Sequence, residues 1–182
     1  MRFQDWDVLI FSAGSQVPLR EFRTACFAQA ENMSSIPVLT CFMPSLSGYA
    51  PFTVSVHSWT KPSILGSNNA GYVPSVVYQW RVKLVIDGVT VATETYPEDV
   101  QWPRQIDSCT AADAEGKRLA LRFPRFHRSI MSQTHWNACD DLGRIKIQLS
   151  AGYELVEQGS AKFVKILDHV VFSFQPAPLG MM

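Results

Sequence analysis

The sequence lacks most of the signatures that name a chemistry. It has no C-x-x-C pair, no H-E-x-x-H and no G-x-S-x-G. Zinc sites defined by close cysteine spacing, zinc proteases and nucleophile-elbow hydrolases are therefore not written in it. Gly66-Ser67-Asn68-Asn69-Ala70-Gly71 has glycine-loop spacing but no following Lys-Ser or Lys-Thr to reach a phosphate, so it reads as a turn. No apolar run approaches the roughly 18–20 residues of a membrane span, and no membrane partner is expected. A charge excess is also missing, because 16 basic side chains balance 16 acidic ones. Nothing global draws the chain to nucleic acid, and none is expected as a partner.

The opening residues make a poor secretory signal. Asp5 and Asp7 interrupt the start, and Val8-Leu9-Ile10-Phe11 is shorter than the usual apolar stretch of roughly 7–15 residues. The expectation is an intracellular protein, cytoplasmic or nuclear. Cys26, Cys41, Cys109 and Cys139 then stay reduced. In a secreted chain they would allow two disulfides in any of about three pairings.

What is present is apolar material in alternation. Hydrophobic residues make up 47% and charged residues 18%, enough for a core and too apolar for global disorder. The clearest stretch is Tyr78–Tyr96. Tyr78, Trp80, Val82, Leu84 and Ile86 take every second position, with Gln79, Arg81 and Lys83 between them. This is the period of a strand with one buried and one wet face. Asp87-Gly88 supplies the positive φ of a tight hairpin turn. Phe52/Val54/Val56, Leu119/Leu121/Phe123, Ile145/Ile147/Leu149 and Val170/Phe172/Phe174 alternate in the same way. About seven or eight strands joined by turns predict an all-β, antiparallel two-sheet β-sandwich, immunoglobulin-like or jelly-roll-like. Residues 36–175 form that domain, and 176–182 a tail. Residues 1–35 are an N-terminal segment, helical or disordered. Leu19, Phe22 and Cys26 after Pro18 offer one helical face. Residues 61–75 and 97–116 read as long loops, and 126–143 admits one short helix.

The candidate site residues fall into three groups. Arg118, Arg122, Arg125 and Arg128 lie in a stretch from Lys117 that contains no acid. On a strand, Arg118 and Arg122 share a face and could grip an anionic partner; the plainer reading is a solvated strand protected by charge. Trp59, Trp102 and Trp136 fall in or beside loops, where they could stack on a sugar or anchor a protein. Packing beneath a long loop is the plainer alternative. His135 and Cys139 are four apart, one face of a helix, and could begin a zinc site or a thiol nucleophile. Two further ligands do not converge in sequence, so no metal and no cofactor is expected. A buried cysteine is more often a small hydrophobe.

Two blocks resemble known sequences. One is Ile36–Leu46 with Pro51–Trp59; the other is Leu121–Pro124 with Trp136–Ala138 and Asp141–Ile147. They resemble uncharacterised proteins of filamentous fungi over roughly residues 36–175. The resemblance implies no active site, cofactor or substrate. The functional expectation is a non-enzymatic sandwich that recognises a macromolecule, a protein above all, through its loops and basic strand face. A small-molecule or carbohydrate binder using the loop tryptophans is the alternative, and a Cys/His- or zinc-dependent enzyme a second. An open sheet edge could also pair two copies as a homodimer.

Overall fold

In the computed structural model, which describes residues 1–31, 34–64, 76–132, 135–157 and 160–178, the chain is built almost wholly of strands. They are β1 (Arg2–Phe3), β2 (Trp6–Ser12), β3 (Phe22–Glu31), β4 (Ser34–Pro44), β5 (Phe52–Ser58) and β6 (Val77–Ile86). Then come β7 (Val89–Pro97), β8 (Arg104–Ile106), β9 (Ser108–Ala112), β10 (Arg118–Ala120), β11 (Ile145–Glu157) and β12 (Ser160–Ala177). A 3-10 helix at Arg128–Ser132 interrupts the path between β10 and β11.

The β6–β7 hairpin follows directly from its residues. Ile86 pairs with Val89, and both turn residues have positive φ, 51° at Asp87 and 77° at Gly88. That backbone twist matches the twist of the flanking strands. Tyr78, Trp80, Val82 and Leu84 are buried while Gln79, Arg81 and Lys83 between them are partly exposed.

Two sheets make the sandwich. One has the order β1-β2-β5-β8; the other has the order β3-β4-β12-β11-β6-β7. Val8, Ile10, Phe52, Val54 and Val56 of the first share one buried cluster with Leu84, Ile147, Leu149, Phe172 and Phe174 of the second. Burying each such side chain contributes roughly 1.5–3 kcal/mol, so this cluster dominates stability. β9 and β10 form a separate two-stranded sheet.

Several expectations need correction. The helix expected after Pro18 is instead β3, paired antiparallel with β4. Three apolar positions make too narrow a stripe to hold a helix against an available strand edge. The N-terminal segment, expected to be helical or disordered, instead contributes β2 to the sandwich, with Trp6, Val8 and Ile10 buried in the common core. Residues 97–116 hold β8 and β9, strands too short to show a period. The expected tail begins inside β12, where Pro176 and Ala177 pair with Met43 and Pro44. The sheets are not wholly antiparallel either, since β12 runs parallel to β4. Most of the loop at 61–75 lies outside the described residues.

Candidate functional site

Where β2 begins and β5 ends, a cavity of about 250 Å³ opens between the sheets. Trp6, Trp80, Ala151 and His169 line it, with Lys61 and Leu167. The first two arrive by ordinary alternation, as inward residues of β2 and β6. His169 arrives by a fault in the pairing of β11 with β12. Leu149 pairs with Val170 and Ser150 with Asp168, so His169 is the extra residue of a β-bulge. A second shift, between Ala151 paired with Leu167 and Gly152 paired with Lys165, makes Ile166 the next extra residue. Bulges re-aim side chains in this way.

An aromatic cluster backs the cavity. The Trp6 ring lies 4.9 Å from both Trp80 and Trp102, edge to face. His169 stands 5.9 Å from Trp80, 6.0 Å from Phe3 and 6.4 Å from Trp6. Within this cluster Trp80 Nε1, Trp102 Nε1 and His169 Nε2 are buried and have no hydrogen-bond partner among the described residues. A buried polar group left unpaired costs about 1–3 kcal/mol, so three at one end of a core call for an explanation.

Burial lowers the pKa of His169 below its usual value of 6.5. The folded protein therefore holds this ring neutral where the unfolded chain would charge it. The associated stability is fully present above pH 6.5 and is lost as the pH falls from there through the depressed folded value. Urea denaturation between pH 7.5 and 5 is expected to show that loss, and His169→Phe to lack this part of it. Parallel profiles for the two proteins would refute the assignment.

The other candidate residues do not gather here. Arg118 bonds Glu94 Oε1 of β7 at 2.7 Å. Arg122 donates to the Tyr49 carbonyl at 3.2 Å, and the Arg125 guanidinium lies 4.6 Å over the Tyr49 ring. Arg128 begins the 3-10 helix. Three of the four arginines are thus tied to neighbours within the chain. Trp59 is 62% exposed, with the Arg2 guanidinium over its ring. Trp102 packs between Trp6 and Tyr96 as part of the aromatic cluster. Trp136 lies against Phe27 on the outer face of the larger sheet.

His135 and Cys139 do not share a helix face, because the segment is bend and turn. Among the described residues no three His, Cys, Asp or Glu side chains are placed to hold a metal. All four cysteines are free, and burial, aided by the Glu21 charge, pushes the Cys41 thiol up to about 12. It is a packing residue and not a nucleophile.

Arg144 organises the segment that carries His135 and Cys139. It is 2% exposed and bonds Gln175 Oε1 at 2.8 Å, the Ala138 carbonyl at 2.8 Å and the Asn137 carbonyl at 2.7 Å. Burial lowers its pKa, while Asp140, Cys139 and Asp141 oppose the shift. This clamp holds residues 137–139 onto the outer sheet face, where Ala138 packs with Ile36, Val38 and Val171.

Sequence reasoning missed the cavity because its parts looked ordinary. Trp80 read as core, Trp6 lay in the N-terminal segment expected to be helical or disordered, and no alternation announces a bulge at His169. The one available signal was the Trp6-Val8-Ile10 spacing.

A family model described as a domain of unknown function, DUF8498, matches residues 1–182, and the chain belongs to that family. No curated protein and no solved structure matches the chain. No helix among the described residues is long and apolar enough to cross a membrane.

Proposed function

We propose that this DUF8498 domain is a non-enzymatic recognition module whose ligand enters the tryptophan-lined cavity. One observation carries the reading. The cavity brings Gln4, Asp5, Thr60, Lys61 and Ser63 together beside His169, and its accessible wall is mostly polar. A ligand carbonyl or carboxylate oxygen would meet the donors of Thr60, Lys61 and Ser63, with Trp6 and Trp80 as the floor beneath. A basic-strand interface has less support, since Arg118, Arg122 and Arg125 are already engaged. A carbohydrate ligand is the second reading, favoured by Gln4, Asp5 and Thr60 on the cavity wall. Four free cysteines suit an intracellular site of action. The likeness to uncharacterised filamentous-fungal proteins belongs to this proposal and adds no chemistry.

The test is a screen of small aromatic carboxamides and carboxylates, followed by the tryptophan indole resonances of labelled protein. Hits are expected to shift Trp6 and Trp80 together and to be lost in Ala151→Leu, which fills the cavity. Because that variant could also disturb folding, Leu167→Glu at the partly exposed wall is a second control. Shifts scattered over Trp59 and Trp136, or hits indifferent to both variants, would refute the reading.

A further inference from the structure

β12 is the central strand of the larger sheet for only part of its length. Along one side it pairs with β11 from Ser160 to Phe174. On the other it meets β4 only from Val171 onward. Among the described residues, Ser160–Val170 have no second strand beside them. Half of their backbone N–H and C=O groups face away from β11, an open edge roughly 30 Å long. Two residues of this edge, Leu167 and His169, line the tryptophan cavity. The bulges at Ile166 and His169 bend the strand at that point, so the open edge runs along the cavity.

We propose that the ligand is an extended polypeptide segment that adds to the sheet along Ser160–Val170 and places one Asp, Glu, Asn or Gln side chain in the cavity. The inference rests on the cavity being the ligand site. The backbone edge supplies affinity through main-chain hydrogen bonds, and the cavity supplies selectivity for one side chain. An oxygen acceptor suits the cavity wall, where Thr60, Lys61 and Ser63 carry donors. Charge favours an acidic segment. Lys162 on the edge and Lys61 on the cavity wall are exposed and have no ion-pair partner among the described residues, and Asp5 on the same wall offsets Lys61 in part, so the charge preference rests mainly on Lys162. Lys165 is matched by Asp168.

The full chain is used to select from a display library of random twelve-residue peptides, and one synthetic winner is carried into hydrogen exchange. The selected peptides are expected to be enriched in acidic or carboxamide residues flanked by β-branched ones. The winner is expected to slow exchange of the Ser160–Lys165 amides and to shift the Trp80 indole. Lys162→Glu with Lys61→Glu is expected to weaken it about tenfold. A peptide that shifts Trp80 while leaving those amides unprotected would overturn strand addition and leave the cavity reading standing. Amides already slow in the free chain, closure of this edge by dimerisation, or a library without enrichment while small carboxamides bind would each overturn it too.

Discussion

Gly152→Ala is expected to destabilise the protein by about 3 kcal/mol, lowering Tm by roughly 6–12 °C in a chain of this size. Gly152 lies in β11 opposite Lys165, beside the second bulge. A Cβ at this position would overlap the Val164 carbonyl oxygen and the Phe163 ring, closer than real Cβ atoms approach. The carbonyl is backbone and cannot swing away. The Arg81 guanidinium lies 3.6 Å from the ring centroid and limits its movement. The clash must therefore be relieved by displacing β12, which carries Leu167 and His169. Gly48→Ala is the control. Its nearest neighbour would be Arg125 Cγ at 3.8 Å, ordinary contact, and the change is expected to stay within about 0.5 kcal/mol. Thermal melts of the two variants check both values; equal melting points would show that β11 and β12 tolerate separation here.

Arg144→Met is the second large effect, again about 3 kcal/mol. The substitution keeps an apolar stem and removes three donors at once. The Ala138 and Asn137 carbonyls and Gln175 Oε1 are then left without the guanidinium that bonds them. Three hydrogen bonds to a charged group contribute about 1.5–3 kcal/mol each, and relief from burying the guanidinium offsets part of their loss, which leaves about 3 kcal/mol. Arg144→Lys is expected to recover less than half, because a point charge cannot serve three acceptors in a planar fork. Trp136, whose ring lies 5.1 Å from the Arg144 guanidinium, is expected to move into water. A red-shifted emission from Trp136, measured with the other tryptophans silent, reports it. Unchanged emission alongside full stability would mean that residues 137–139 are held by other contacts.

The contrast between these two residues shows what alternation can and cannot convey. The β6–β7 hairpin was legible to the residue because one face is apolar and the turn residues have a backbone reason to be there. β2 was obscured by Leu9 and Phe11, which alternate with Val8 and Ile10 and are themselves partly buried. With both faces apolar, a period of two disappears. The parallel contact of β4 with β12 joins segments more than a hundred positions apart, and no local pattern encodes it. The bulges at Ile166 and His169 are properties of a pair of strands, so neither strand alone betrays them. The candidate site depends on both, which is why Trp59, Trp102 and Trp136 drew attention while Trp6, Trp80 and His169 did not. Arg144 followed a Gly on the way into a strand and looked like any solvent-facing cation.

The parallel seam between β4 and β12 also sets the order of events at the ribosome. β3 and β4 emerge early, and β6 and β7 pair as a local hairpin soon after. The two halves of the larger sheet share no neighbour until β12 arrives. A nascent chain stalled before Val170 would hold two greasy half-layers with nothing between them. Such intermediates attract chaperones and aggregate. β12 thus acts as keystone: it must be made before this domain can close.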